Sequence, residues 1–414
     1  MNIAIIPSAD LNYNSGSVIY AKNLFKFLIN KNHNVFMLGS KIPEDMNDKY
    51  INNIFIKSKI LEHPVIDDRE ISNKEYYEMI KEIIDFILEV DSCCDGLDVI
   101  CAQYASVNSF AAIIASVLLD IPVVVESFGR DLNVGFEKDL RIRKMGEISL
   151  MYSDFIIAAD KSIEEKIKLV LHGTNKYISV IGMPMDLTIK EAGSLFIDKG
   201  NDFIITSVNS CFSEEKGIEL IINAFEKIHN EFPRTKLYIA GTDDHPQKIH
   251  EKKLLKVVQQ KKLEDNIIFT GFLSRKDVGN LLKKSDIYID ARNNGNFSSV
   301  LLEAMYMGVP IIASENTGSL KVITTNKNGV LFKKNNTEEI YKKIKELIEN
   351  EELRKLLSLN GKEYLERHKE KYMPDECFSK VETVLEKTIL NHKRKKEGIS
   401  VKQKSIKTYK KRQT

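Results

Sequence analysis

Short apolar, β-branched runs alternate with longer amphipathic stretches along most of the chain. In the first half the apolar runs predict buried strands at 3–6, 35–38, 99–102, 123–125 and 155–158. The stretches between them repeat apolar residues at helical spacing and predict helices at 18–30, 74–90, 107–119, 140–152 and 162–171. Such an alternation is typical of a doubly wound α/β domain with a parallel sheet.

The same alternation restarts after a segment of Gly, Pro and short polar residues that ends near residue 200. It predicts further strands at 203–208, 237–240, 267–270, 287–290, 310–313 and 329–332. We therefore expect an α/β protein with two doubly wound, Rossmann-like domains that face each other across a cleft, at 1–185 and 201–372, joined by a linker at 186–200. Because such sheets bind ligands beyond the carboxyl ends of their strands, the cleft is the expected site.

The end of the chain differs in charge from the rest. A helix at 373–390 is expected to return to the first domain. Residues 391–414 contain ten Lys or Arg and a single Glu, whereas the whole chain has 61 basic and 59 acidic residues. We interpret 391–414 as a basic, disordered tail that could bind an anionic membrane surface. Because its aromatic content is limited to Tyr409, we expect no nucleic-acid partner.

Composition fits a cytoplasmic protein that is at most peripheral at the inner face of the membrane. A chain of 414 residues, 43% hydrophobic and 29% charged, has enough apolar material for two cores. Its five cysteines follow no zinc or disulfide spacing and are expected to be reduced thiols. The chain opens without the basic and apolar regions of a signal peptide, and its most apolar stretch, 110–125, is interrupted by Asp120 and Pro122.

Two loops are candidates for phosphate binding. Gly16 belongs to a small-residue loop that opens a helix, where backbone N–H groups can hold phosphate, although the loop alone favours a tight turn without a ligand. Lys216 precedes the first helix of the second domain and could clamp a diphosphate, or it could be a solvated charge. The chain lacks a G-x-G-x-x-G sequence at its first turn, so a nicotinamide enzyme has little support.

A third candidate is the acidic residue of the segment 294–310. This segment runs from a polar loop through an apolar helix to Gly308 and Pro310, and Glu303 is the helix's acid. A carboxylate on an apolar face requires a partner, because burying it unpaired is costly. Vicinal ribose hydroxyls would satisfy Glu303, as would a backbone group or a lysine with no functional role.

The chain resembles the family 4 retaining glycosyltransferases of GT-B fold over nearly its whole length, and these residues belong to the motifs that carry the resemblance. Residues 15–35 are similar to the family's "GG…L…GHEV" opening, 129–131 to its "HG-x-D" turn and 208–217 to its "vGRl…eKG" segment. Residues 300–310 match "vllEAMa-G-xP" almost throughout, and this match is specific.

The resemblance implies an enzyme that transfers a sugar from a nucleotide-diphosphate donor to a hydroxyl acceptor with retention. It implies no cofactor and no metal. Lys216 would contact the donor diphosphate, Glu303 the donor ribose, and Arg130 and Asp131 would act in catalysis. Gly16 and the segment Asn296, Phe297, Ser298, Ser299 and Val300 would complete the donor site.

Four positions depart from the family pattern. Phe128 replaces its histidine, Cys211 its arginine, Gly295 the first Glu of its paired-Glu motif and Lys321 the acid of a later turn. The departures leave the sugar, the nucleotide and the acceptor open. They also leave a second hypothesis, a catalytically degenerate subunit that binds or scaffolds an active partner glycosyltransferase. A third, a sugar-nucleotide epimerase of the same fold, gains nothing from them, since it would need acid and base groups at Phe128 and Gly295.

Overall fold

The chain folds into two compact units. The computed structural model describes residues 1–11, 15–43, 46, 48–57, 71–209, 211–243, 247–293, 298–316 and 318–411, with side chains up to 397 except at 48. The first unit comprises Met1–Pro184 together with Met373–Thr414, and the second comprises Met185–Tyr372.

The first unit contains a parallel sheet. Its described strands are β1 (Asn2–Ile6), β2 (Asn34–Gly39), β3 (Ile54–Ile56), β4 (Val99–Gln103), β5 (Val123–Ser127), β6 (Phe155–Ala158) and β7 (Ile178–Val180). They are ordered β3-β2-β1-β4-β5-β6-β7, so the order reverses between β1 and β4. Every residue of β4 and β5 is buried, which explains the apolar runs 99–102 and 123–125 with which the two strands begin. The three-residue edge strands β3 and β7 are additions to the predicted sheet.

Helices pack on both faces of this sheet. They are α1 (Gly16–Asn30), α2 (Asp48–Ile51), α3 (Asn73–Cys93), α4 (Val107–Leu119), α5 (Phe136–Lys138), α6 (Leu140–Tyr152) and α7 (Lys161–Val170), with one π-helical turn at Asp131–Gly135. Ser72 and Glu75 form a capping box at the start of α3. One core contains apolar residues of α3, α4 and α7, and another contains those of α1.

The second unit repeats this architecture. Its described strands are β8 (Phe203–Val208), β9 (Thr235–Ala240), β10 (Ile267–Gly271), β11 (Ile287–Asp290), β12 (Ile311–Ser314) and β13 (Val330–Phe332), all parallel and ordered β10-β9-β8-β11-β12-β13. Here the order reverses between β8 and β11. The fold is therefore that of two Rossmann-like domains, as predicted.

The helices of the second unit follow the strands in alternation. They are α8 (Ile218–Glu231), α9 (Ile249–Lys261), α10 (Arg275–Lys284), α11 (Ser299–Met307), α12 (Thr337–Glu349), α13 (Glu351–Arg367) and α14 (Lys369–Tyr372). Three 3₁₀ turns, Leu187–Lys190, Glu214–Lys216 and Ser319–Lys321, complete the unit.

The segment 186–200 is not the free linker that the sequence suggested. A Cβ at Gly279 of α10 would lie 1.9 Å from the carbonyl oxygen of Ile189, so the two backbones are in direct contact. The N–H of Leu195 donates to Asp277 Oδ1 at 2.6 Å, and Ile189 is fully buried. The close backbone contact that Gly279 permits and the buried side chain of Ile189 make this segment part of the second unit.

The last helix, α15 (Pro374–Lys411), belongs to the first unit. Its residues Cys377, Phe378, Val381 and Leu385 are buried in the same core as α1. The Phe378 ring lies 5.4 Å from that of Tyr20, centroid to centroid. The expected return of this helix to the first domain agrees with this packing.

The prediction of a disordered tail at 391–414 requires correction, because α15 continues through this segment to Lys411. Within 391–397, basic side chains pair with acidic side chains of the first unit. His392 and Lys396 pair with Asp120, and Lys395 with Asp154; Lys393 lies 3.8 Å from Asp98. Part of the basic charge is thus neutralised within the chain.

Among the described residues, no helix combines the length and apolarity that crossing a bilayer requires.

Truncation tests the two parts of α15. A chain ending at Leu390 should melt within a few degrees of the full chain, because it loses mainly exposed ion pairs worth about 0–1 kcal/mol each. A chain ending at Tyr372 should not fold cooperatively, because it loses seven buried side chains of the described part of α15, six of them in the core of the first unit. Each large apolar one is worth about 1.5–3 kcal/mol, against a typical stability of about 5–15 kcal/mol. Thermal unfolding followed by circular dichroism measures both. Cooperative melting of 1–372 at the full-length temperature would contradict the assignment.

Candidate functional site

The candidate site of the second unit lies where its strand order reverses. The loops after β8 and β11 leave the sheet at this point, and one carries Lys216 and the other leads to α11. In doubly wound sheets the crevice at such a reversal is where ligands bind. The motif residues of 208–217 and 298–303 are therefore brought to one edge of one sheet.

A glycine fixes the contact between these two loops. Gly217 has a positive φ of 65°, and a Cβ there would lie 2.3 Å from the carbonyl oxygen of Ala291. A hydrogen bond of 2.9 Å from the N–H of Asn293 to the carbonyl oxygen of Glu215 joins the loops a second time. Lys216 is therefore held against the residues that follow β11.

Lys216 is a half-buried cation at this contact. Burial lowers its pKa, and the nearby charge of Arg292 lowers it further. Lys216 forms no ion pair within the described residues. A cation with these surroundings would gain from an anionic ligand.

Arg292, which the sequence analysis did not select, lies beside Lys216 and is buried. Its Nε donates to Asp290 Oδ1 at 2.8 Å, and its Nη2 donates to Ser298 Oγ at 2.9 Å. Its carbonyl oxygen accepts from Ser314 Oγ and from Asn316 Nδ2. The guanidinium is thereby held between the Lys216 loop and the start of α11.

The helix α11 begins at this guanidinium. Ser298 is its N-cap residue, but the Ser298 hydroxyl accepts from Arg292 and makes no capping hydrogen bond. The N–H groups of Ser299 and Val300 lie in the first turn, where helix donors have no acceptor in their own helix. Asn296 and Phe297, like Gly295, lie outside the described residues, so their predicted part in the site stays a prediction.

Glu303 is buried in α11 and has a partner within the unit. The carboxylate is 1% exposed, and its Oε1 pairs with Nη2 of Arg275, the first residue of α10. Arg275 Nε also lies 3.5 Å from Asp186 Oδ2. Glu303 Oε2 has no hydrogen-bond partner among the described residues. One oxygen of Glu303 is thus used internally by an arginine, a partner that the sequence analysis did not consider.

In the first unit, Gly16 lies at the corresponding reversal, between β1 and β4. It opens α1, and the hydroxyl of the N-cap Ser15 accepts from the N–H of Val18. The glycine is exposed, and an added Cβ would meet only Met183 Cε at 3.6 Å. Backbone packing among the described residues therefore does not require glycine at this position.

Asp131 and Arg130 differ in their surroundings. Asp131 is fully buried, and its carboxylate accepts at 2.9 Å from the N–H groups of both Ala105 and Gly129. Burial raises the pKa of Asp131. This geometry favours a role in holding the 128–131 turn, whereas Arg130 is exposed.

Glu126 is a further buried carboxyl that the sequence analysis missed. Glu126 is the last but one residue of β5, and its carboxylate accepts from Tyr20 Oη at 2.7 Å and from Gln103 Nε2 at 3.3 Å. Burial raises its pKa to about 7, although these donors and the Cys101 thiol oppose the rise. A single acid in an apolar strand was the signal that could have identified it.

No three His, Cys, Asp or Glu side chains converge on a metal-binding arrangement within the described part of the chain. The groups that gather at the second unit's reversal are instead Lys216, Arg292 and the start of α11.

Residues 194–364 match the family model of glycosyl transferases group 1. The matched segment spans the Lys216 loop and Glu303. An uncharacterized glycosyltransferase of Methanocaldococcus jannaschii is 24% identical over 387 residues, which cover 92% of this chain and 97% of that protein. N-acetyl-alpha-D-glucosaminyl L-malate synthase of Bacillus anthracis is 25% identical over 382 residues, covering 89% of this chain and 93% of the enzyme.

A solved structure, Anabaena HepE in complex with UDP-glucose, superposes with a TM-score of 0.73 at 14% identity, covering 94% of this chain and all of that one. The likeness shows the GT-B fold. Together the sequence matches support a group 1 glycosyltransferase, without specifying the family 4 or retaining class.

The buried Glu126 predicts a pH dependence of stability. Burial on folding raises the pKa of Glu126 from 4.5 to about 7. The contribution of Glu126 to the free energy of unfolding is therefore fully present below pH 4.5 and is lost as the pH rises through 7. Two to three pKa units correspond to about 3 kcal/mol. Chemical unfolding at pH 5 and pH 8 should therefore show a smaller decline for Glu126→Gln than for the wild type. Glu165→Gln, an exposed substitution on α7, is the control, and an equal decline in all three proteins would refute the prediction.

Proposed function

We propose that this protein is a glycosyltransferase that moves a sugar from a nucleotide-diphosphate donor to a hydroxyl group, with retention and without a metal ion. The sequence matches support the transfer reaction, and the resemblance in the motifs supports the donor class and the stereochemistry. HepE, which shares the fold, was crystallised with UDP-glucose.

The observation that carries the proposal is the position of Lys216. It lies at the strand-order reversal of the second unit, half-buried, with its pKa lowered by burial and by Arg292. These features are those of a cation that gains most when a dianionic group lies beside it. A diphosphate leaving group acquires negative charge as its bond to the sugar breaks, so this cation would stabilise the transition state more than the bound donor.

The start of α11 would provide the second contribution. N–H groups of the first helical turn, at Ser299 and Val300, are donors for a phosphate oxygen and need no reorganisation as charge develops. Gly308, with a positive φ of 76°, ends α11 after Met307. The chain then leads directly to β12, so the start of α11 stays close to the sheet edge.

Glu303 would bind the donor ribose through its unpartnered oxygen. A buried carboxylate oxygen without a donor is costly, and a ribose hydroxyl would satisfy Oε2 while Arg275 holds Oε1. This role uses one carboxylate oxygen of Glu303, because Arg275 occupies the other.

A thermal-shift screen of sugar nucleotides is the first test. A ligand that binds only the folded protein raises its melting temperature. At about 100 times its Kd it adds about 2.7 kcal/mol to the free energy of unfolding. Full-length protein should respond to one nucleotide-diphosphate sugar more than to its nucleoside. No response to any member of the panel would count against the proposal.

Substitution of Lys216 and Glu303 should separate turnover from affinity. With the donor found in the screen, Lys216→Ala should lower the rate of transfer or donor hydrolysis by about 100-fold or more and affinity by less, because its charge matters most as the diphosphate leaves. Glu303→Gln should weaken donor binding by about 10-fold with a smaller effect on the rate. Calorimetry and steady-state kinetics measure both.

The matched control is Lys236→Ala. Lys236 is a partly buried lysine near the amino end of β9 that pairs with Asp202 at 2.7 Å. It should affect neither rate nor affinity. Glu303→Gln also breaks the pair with Arg275, so a lower melting temperature is expected. Wild-type affinity and rate in both site variants would eliminate the proposed site, whatever their stability.

A further inference from the structure

One of the four departures from the family pattern is Cys211, which stands where the pattern has an arginine before the lysine that corresponds to Lys216. Cys211 is half-buried in the same loop as Lys216. A thiol cannot replace the charge or the forked hydrogen bonding of a guanidinium. The proposed diphosphate site therefore lacks one cation at its usual place in the sequence.

The structure brings another arginine to the same region from a different loop. Arg292 adjoins Ala291, whose carbonyl oxygen contacts Gly217, and it adjoins Asn293, whose N–H bonds to Glu215 at 2.9 Å. The neighbours of Arg292 on both sides thus touch the neighbours of Lys216 on both sides. The two cations lie on loops that are fixed to each other.

The Arg292 guanidinium is held in a defined orientation, and some of its N–H donors are not used by the contacts that hold it. Its contacts with Asp290 and Ser298 use Nε and Nη2, which leaves part of its five N–H donors outside these two bonds. Ser298 begins α11, so the guanidinium lies next to the helix N–H groups that would hold a phosphate.

The charges also favour an anion here. Asp290 neutralises Arg292 by an ion pair of 2.8 Å, but Lys216 has no such partner among the described residues. Burial lowers the pKa of Lys216, and repulsion by the charge of Arg292 lowers it further. A ligand with two adjacent negative groups would relieve this repulsion at both cations.

We propose that Arg292 supplies the second cation of the donor-diphosphate site, in place of the arginine that the family pattern has at the position of Cys211. This inference rests on the proposed function. It identifies Arg292 as a donor-binding residue and makes the position of the charge, moved from the loop after β8 to the loop after β11, a distinguishing feature of this chain.

Calorimetry of full-length protein with inorganic pyrophosphate, UDP and GDP tests the proposal at fixed ionic strength. Arg292→Gln should weaken binding of whichever diphosphate the wild type binds by about 10- to 100-fold, the range expected for a charged hydrogen bond. Asp290→Asn should bind it at least as tightly as the wild type, because only a competing carboxylate is lost.

Two further variants separate binding from folding. Asp290→Asn combined with Arg292→Gln leaves no unpaired buried charge, so it should fold even where Arg292→Gln does not, and it should show the same loss of affinity. Adding Cys211→Arg to this double variant should recover at least 10-fold, because it returns a cation to the usual place beside Lys216. A purely structural Arg292 would not allow such a rescue.

The outcomes distinguish the two proposals. If the wild type binds none of the three probes, the proposed function fails and this inference with it. If the wild type binds a diphosphate and a folded variant lacking Arg292 binds it with equal affinity, Arg292 is excluded while the proposed function stands. Failure of Cys211→Arg to recover affinity would overturn the replacement.

Discussion

The contact between Gly217 and Ala291 is the constraint on which the candidate site depends. No side chain fits between the glycine Cα and the Ala291 carbonyl, since a Cβ would lie 2.3 Å from that oxygen. The positive φ of Gly217 is also a conformation that other residues adopt only with strain. The turn before α8 can therefore approach the end of β11, and the positions of Lys216 and Arg292 follow from it. The repulsion between the charges of Lys216 and Arg292 therefore follows from the backbone contact that holds their two loops together.

The repeated strand and helix pattern predicted most of the fold. Strands such as β4 and β5 are buried on both faces, so each begins with a continuous apolar run that the sequence pattern identifies. The edge strands β3 and β7 have three residues each and carry partly exposed positions, which gives no comparable signal. The segment 186–200 resembles a linker in composition, yet Ile189 anchors it against Gly279, a contact between residues 90 positions apart.

The candidate site was open to sequence analysis where its residues lie within one motif. Lys216 and Glu303 stand in sequence patterns that resemble those of glycosyltransferases, so the sequence alone selects them as candidates, and their roles stay predictions. Arg292 and Arg275 could not be found in this way, because their importance comes from neighbours in space: Ser298 and Asp290 for one, Glu303 for the other. A motif describes the residues that relatives share, whereas a charge that has moved to another loop is visible only after folding.

The two sheets also differ in the charge that they place at their reversals, and this difference bears on which of them takes an anion. In the first unit the buried acids Glu126 and Asp131 have raised pKa values, because burial disfavours their charged forms. A polar chain of Ser8, Ser17, Gln103 and Tyr104 lies in the same region, and none of these side chains is cationic. In the second unit two cations and the start of α11 meet at one edge. A diphosphate beside Glu126 would meet a buried acid and, at most, the N–H groups at the start of α1, whereas beside Lys216 it would also be paired with cations. Among the described residues, electrostatics therefore favours the second unit as the anion site.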